Sequence, residues 1–297
     1  MGKRSYALRY SRGDRIFLLI DTVLLLIIGI IILYPLLFII SASLSASVNV
    51  MGLSLIPREI SFIGYETVLR YKDIWSGYYN SLLYTVLGTT ISLGLTICCA
   101  YPLSRHDFKL TKPIMVLCMI TMYFSGGLIP TYLTVRNLGM LDTIWSVILP
   151  SSMSVYNMIV MRTYFGTQIP LELLESSQLD GCNNLRYLTT IVLPLSGAIL
   201  AVIGLFYAVG YWNSYFDAMI YLSSRNRFPL SIILREILII NTANIERMDI
   251  DTLVALETRQ NVMKYSVIVV ASLPVMILYP FVQKYFVKGV MIGAVKG

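Results

Sequence analysis

The sequence predicts an all-α, polytopic membrane protein in which six transmembrane helices carry one polar helical elbow on the inner face. Three observations predict it. Of 297 residues, 57% are hydrophobic and 13% charged, and the mean hydropathy is +0.73, far from the balance of a soluble domain. Apolar runs long enough to cross a ~30 Å hydrocarbon layer recur along the chain. A single polar island, LELLESSQLDGCNNLRYLTTIVLP from Leu171 to Pro194, separates two of them.

In chain order, residues 1–15 form an inner N-terminal tail, 16–281 the membrane domain with an inner loop at 162–194, and 282–297 an inner C-terminal tail. Ile16 to Ile40 is the first span, too long for a signal-peptide core and without a cleavage site. Its Asp21 is expected to snorkel or to pair with Arg15. Met1-Gly2 followed by Tyr6 does not fit a myristoylation signal. Residues 41–78 are punctuated by Pro and Gly and form the first outer loop. Asn80 to Tyr101 is the second span, stopped by Pro102 and followed by Arg105, His106, Lys109 and Lys112. Pro113 to Leu133 is the third, interrupted by Gly126, Gly127 and Pro130. A break there lines a pathway or reflects loose packing. After the turn RNLGMLD, Thr143 to Met161 is the fourth span, with Pro150 inside it.

The elbow follows. Pro170 suits a first helical position, and Glu172 suits the positive end of a helix. Leu171, Leu174 and Gln178 or Leu179 define one side of a short helix that Asp180-Gly181 ends, because glycine enters the left-handed conformation without steric cost. Asn183 or Asn184 caps a second helix, which runs to a break at Pro194. Leu195 to Leu222 is the fifth span; its second half, YAVGYWNSYFDAMIYL, is so aromatic and polar that some side chains must face protein or water. Residues 223–260 form the longest outer loop, and Val262 to Phe281, with Pro274 and Pro280, the sixth span. With the N-terminus inside, thirteen of the 23 Lys and Arg residues lie on inner segments, the sense of the positive-inside rule. Six spans place both tails and the elbow on one side.

Several classes of chemistry are excluded. The net charge of +7 flanks apolar runs and so serves lipid headgroups, with no nucleic-acid partner. Cys98, Cys99, Cys118 and Cys182 have no metal or redox spacing and read as small apolar packers. The single His106 rules out histidine-clustered metal sites, and no P-loop or G-x-S-x-G elbow is present. No catalytic residue, metal ligand or cofactor is assigned. Asp21 and Asp217 are the acidic groups inside the spans, too few for a proton relay. A self-contained secondary transporter of a small polar solute is kept as the alternative; otherwise the energy must come from another subunit.

The elbow contains Glu175-Ser176-Ser177, three residues, Gly181, nine residues, then Ile191-Val192-Leu193-Pro194. This spacing resembles the E-A-A-x3-G-x9-I-x-L-P loop of permease subunits in binding-protein-dependent ABC importers, with serines replacing both alanines. The run GYWNSYFDAMIYL and the ending QKYFVKGVMIGAVKG are similar to carbohydrate permeases of the maltose-transporter MalG type. The resemblance implies a type I importer fold in the bacterial cell (inner) membrane, termini cytoplasmic, transporting an oligosaccharide. It implies as partners a second homologous permease, two ATPase subunits that bind ATP and Mg, and an extracytoplasmic sugar-binding protein. The elbow then acts as a coupling helix through Glu175, Ser176, Ser177, Asp180, Gly181, Ile191, Leu193 and Pro194. Trp212, Asn213, Tyr215 and Asp217 are candidates for the sugar pathway, since aromatic faces stack on pyranose rings and Asn and Asp bond hydroxyls; packing against the partner permease is the other reading.

Overall fold

The structure, a computed structural model, describes residues 11–46, 56–57, 59–240, 261–280 and 283. The first ten residues of the N-terminal tail, parts of the first and longest outer loops, and the C-terminal tail apart from Gln283 lie outside the described residues. What is described is helical, with one isolated antiparallel bridge between Ser45 and Ile60. It falls into two compact units, one running up to Arg70 and resuming through Val270, the other running from Tyr71 and resuming at Ala271.

In the first unit, α1 (Arg12–Ser43) starts four residues before the apolar run. Ser11 Oγ accepts from the Asp14 amide while the Asp14 carboxylate accepts from the Ser11 amide, so two orphan donors of the first turn are satisfied reciprocally. Asp21 is exposed on this helix and, among the described residues, forms no ion pair with Arg15. The end of α1 is tied to α2 (Ile63–Arg70) by Ser43 Oγ and Tyr65 OH at 2.7 Å. The start of α14 (Asn261–Pro280) joins them, Ser266 Oγ donating to Ser43 O at 3.3 Å. A Cβ on Gly64 would stand 2.8 Å from Val262 Cγ1, so only glycine allows this approach.

The second unit is organised around α3 (Lys72–Ser104), which passes Pro102 and ends two residues later. Against it pack α7 (Val155–Gln168), α11 (Gly197–Trp212) and α13 (Leu230–Ile240). The expected third span is α4 (Thr111–Tyr123) and α5 (Leu128–Asn137), which meet at 112° around Gly127, φ +85°. The expected fourth span is also divided. Pro150 lacks the amide that would continue the helix, so α6 (Ile144–Ile148) ends, the chain turns through 149–154, and α7 begins under the Ser154 cap. The fifth span is broken between α11 and α12 (Phe216–Tyr221).

By length and composition, α1, α3 and α14 are long and apolar enough to cross a membrane, and two bent pairs bring the number to as many as five among the described residues. The third span thus carries the interruption expected around Gly126 and Gly127, whereas the fourth and fifth are broken where the sequence suggests continuous helices. Of the cysteines, Cys118 and Cys182 pack against the apolar core, whereas Cys98 and Cys99, expected as packers, are exposed among the described residues.

Candidate functional site

Two regions carry the candidate residues, both within the second unit. The elbow begins with α8 (Leu171–Leu179), whose N-cap is Pro170, one position earlier than a first helical residue. Asp180 closes α8, and Gly181 turns the chain at φ +74°. Its amide bonds Gln178 O, and the next amide, Cys182, returns to Ser177 O at 2.9 Å, satisfying carbonyls that the helix leaves open. Asn183 caps α9 (Asn184–Tyr187) through Oδ1 and the Arg186 amide at 2.8 Å.

From there the helix widens. Leu188–Val192 forms a π turn, in which the Leu193 amide reaches Leu188 O. It runs straight into α10 (Leu193–Leu195). A proline at 194 has no amide and crowds the carbonyl four residues back; a widened turn just before it relieves that clash without ending the helix. Hence Pro194 is not the break. The direction changes at Ser196, where α9 to α10 meets α11 at 85°.

The elbow has a buried side and a free side. Tyr187, Leu188 and Val192, with Leu174, Cys182, Ile191 and Leu193, join the core formed by Tyr101, Leu103 and Phe165. Ser177 is also buried, its hydroxyl donating to Leu174 O, so this small residue serves packing within the chain and is not open to a partner. Leu179, one choice for the inner side, is 90% exposed, and Leu185 is 71% exposed. Glu175, Ser176, Asp180 and Gly181 are exposed beside them. Beneath α8, Arg105 is 10% exposed and donates to both Asp107 oxygens, at 2.9 and 2.7 Å, and to Tyr101 OH at 3.3 Å. The Asp107 hydrogen bonds raise the guanidinium pKa, and the same bonds hold the carboxyl below its ordinary value. Arg105, which the motif does not include, lines a cavity of about 90 Å³ with Leu171, Leu174 and Tyr187.

The second region is a cavity of about 550 Å³ between the two helix breaks. One wall is the α11–α12 break with Asn213, Tyr215 and Asp217; the other is the 149–154 break and the start of α7, with Ser151, Ser154 and Asn157. Ser151 Oγ donates to Asp217 at 3.0 Å across it, and Tyr215 is covered by the Arg235 guanidinium, 4.6 Å from its ring centre. Trp212 is absent from this cavity. It turns toward α3 and stands 6.0 Å from the Tyr78 ring, beside Val209 and Pro274. The three residues of the opposite wall were hidden in an apparently continuous span, although Pro150-Ser151-Ser152 is a visible signal for a turn.

Comparison with known proteins gives a consistent answer. No family model matches the sequence. The chain is 38% identical to the polygalacturonan/rhamnogalacturonan transport system permease protein YtcP of Bacillus subtilis (strain 168), over 96% of this chain and 99% of that protein. It is 35% identical to Protein LplC of the same organism, over 98% and 99%. A solved structure of a bacterial ABC transporter involved in the import of the acidic polysaccharide alginate contains a chain that matches with a TM-score of 0.83 and 34% identity, over 93% and 99%. Similarity of this extent, along nearly the whole of both chains, shows that the chain belongs to the permease subunits of ABC sugar-transport systems.

Proposed function

We propose that the chain forms one half of the translocation pathway of an ATP-driven oligosaccharide importer in the bacterial cell (inner) membrane, with its termini and elbow cytoplasmic. The carrying observation is the two-sidedness of the elbow: a seam fixed to the chain's own core, and a free tip with Leu179 at 90% exposure. An exposed leucine between acidic and small residues suits the groove of an ATPase subunit. In this reading a second, homologous permease completes the pathway, two ATPase subunits hold ATP and Mg, and an external sugar-binding protein delivers the substrate. This chain binds no nucleotide or metal itself. Family membership lends no support to a self-contained secondary transporter.

Glu175, Ser176 and Asp180 contact the ATPase, Gly181 sets the angle of the tip, and Ser177, Ile191, Leu193 and Pro194 join the tip to α11. Stiffness matters because ATP shifts the inward–outward equilibrium only through its differential effect on the two states, and reversing a 1:99 ratio takes ~5.5 kcal/mol. The buried seam delivers that bias to α3 and α11. Asn213, Tyr215 and Asp217 meet the sugar; the cavity of about 550 Å³ lies within the ~300–1,000 Å³ range of ligand sites. Trp212 packs against Tyr78 and is withdrawn from the pathway role. The relatives named for polygalacturonan and alginate, and a melibiose/raffinose/stachyose import permease, MelC of Bacillus subtilis (strain 168), 26% identical over 89% of this chain and 91% of that protein, support an oligosaccharide.

A photo-crosslinker at position 179 in the assembled importer tests the coupling role: the expected adduct is a subunit with a P-loop. Absence of such an adduct, in preparations that still import sugar, defeats it. Asn213→Ala and Asp217→Ala should each lower uptake about tenfold, the equivalent of ~1.4 kcal/mol.

A further inference from the structure

Two tyrosines one turn apart on α11 do more than fill the core. Tyr211 OH donates to Ile148 O at 3.0 Å, the last carbonyl of α6, and Tyr207 OH accepts from the Ser154 amide at 3.1 Å, at the cap of α7. These are the two ends of the break in the fourth span, where backbone groups have no partner within their own helices. At membrane depth such groups must be satisfied by the protein. On the far side, Tyr211 OH meets Ser92 Oγ at 2.9 Å and Tyr207 OH meets Thr96 Oγ1 at 2.7 Å, both on α3.

Counting protons fixes every direction. Thr96 spends its hydroxyl proton on Ser92 O at 2.7 Å, so Tyr207 must donate to Thr96 while accepting from Ser154. Tyr211 uses its proton on Ile148 O, so Ser92 must donate to Tyr211. Each hydroxyl proton is used once and no donor is duplicated. All four side chains are buried, and Tyr207 and Tyr211 also line the large cavity. A Cβ on Gly88 would come within 2.6 Å of the Tyr211 ring, so α3 is shaped to admit this side chain.

We propose that Tyr207 and Tyr211, backed by Thr96 and Ser92, are positioning residues that strap the 149–154 break to α3 and α11. The strap holds the Ser151–Asn157 wall of the cavity in place, so that α3, α11 and the broken fourth span move as one body. The proposal rests on the reading of the cavity as a pathway only for its effect on transport.

The test is amide hydrogen exchange at Ser154 in the assembled importer, with Tyr207→Phe, Thr96→Val and Thr96→Ser. Loss of one net hydrogen bond predicts about tenfold faster exchange at Ser154 in Tyr207→Phe and Thr96→Val. Thr96→Ser, which keeps the hydroxyl, should restore the slow rate, and amides in α1 should not change. Equal exchange in all three variants and the native chain overturns the strap, as does a uniform loss of protection along α3 and α11, which indicates general loosening. In the same variants, uptake of raffinose and of a galacturonate oligomer should show a raised half-saturation with the maximal rate retained. Faster exchange at Ser154 with uptake unchanged for whichever sugar is imported retires the pathway reading and leaves the strap standing.

Discussion

Gly181 turns the elbow at φ +74°, with no atom within 4 Å of the place a Cβ would occupy. The penalty for a side chain there comes from the backbone alone, about 1–2 kcal/mol for most residues and less for asparagine, which tolerates the left-handed region. Gly181→Val should therefore depress ATP-driven uptake while insertion persists, and Gly181→Asn should retain much more. Initial uptake rates normalised to inserted protein check this; equal loss in the two variants removes the left-handed explanation. Asp142 presents the opposite case, a side chain that adopts φ 54° and makes use of it. Its carboxylate accepts from the Ser224 hydroxyl, the Ser224 and Ser223 amides and Arg227. Chiefly the Ser224 bonds, then the Ser223 amide and the Arg227 charge, lower its pKa to about 2. A folded pKa below the unfolded value means the contribution is complete above ~4 and fades as pH falls toward the folded value. Asp142→Asn keeps the backbone preference and removes the charge, so it should cost about 1 kcal/mol at pH 7. The difference between the two thermal midpoints should narrow from pH 4 downward; a gap that is independent of pH assigns the loss to shape instead of charge.

At the scale of elements, Arg105 stands where the elbow meets the end of α3. Its guanidinium is fixed by Asp107 and Tyr101 at the end of α3 and lines the space under α8. Arg105→Ala opens that space and leaves the Asp107 carboxylate without its partner. The assembled importer should go on hydrolysing ATP while the sugar imported per ATP falls several-fold, and Arg105→Lys, which cannot make the forked contact, should fall between. Simultaneous ATPase and uptake assays decide it, since an unchanged ratio frees Arg105 of any coupling role. The sequence was informative wherever backbone chemistry acts locally. Gly127 and Asp180-Gly181 mark real turns, and Asn183 a real cap, because each effect depends on a residue's own φ or side chain. The fourth span was read straight through Pro150, although that residue ends α6, and its consequence, a cavity wall, required knowing that α11 breaks opposite to it. Direction was not legible on α11: with apolar and aromatic residues on every side, nothing phases the helix, and Trp212 and Asn213 face different surroundings. The π turn before Pro194 was equally hidden, because a proline signals a break unless the turn before it widens to relieve the clash.

At the scale of the whole molecule, the exposed surface is what calls for neighbours. Among the described residues the most apolar stretch of α1 buries none of its side chains, and α4 likewise buries none. Apolar faces of this size need lipid or protein against them. The same arrangement fixes a test of orientation, because the coupling role requires the elbow and the 223–227 loop to lie on opposite sides. Thr189 is exposed on the elbow and Ser223 on the loop after α12. With Cys98, Cys99, Cys118 and Cys182 replaced, Thr189→Cys should react with an impermeant maleimide in inside-out vesicles alone, and Ser223→Cys in right-side-out vesicles alone. α11 and α12 lie between the two positions, so labelling of both from one face denies that this segment crosses the bilayer. Labelling of Thr189→Cys from outside would remove the elbow from every cytoplasmic ATPase, and the coupling proposal with it.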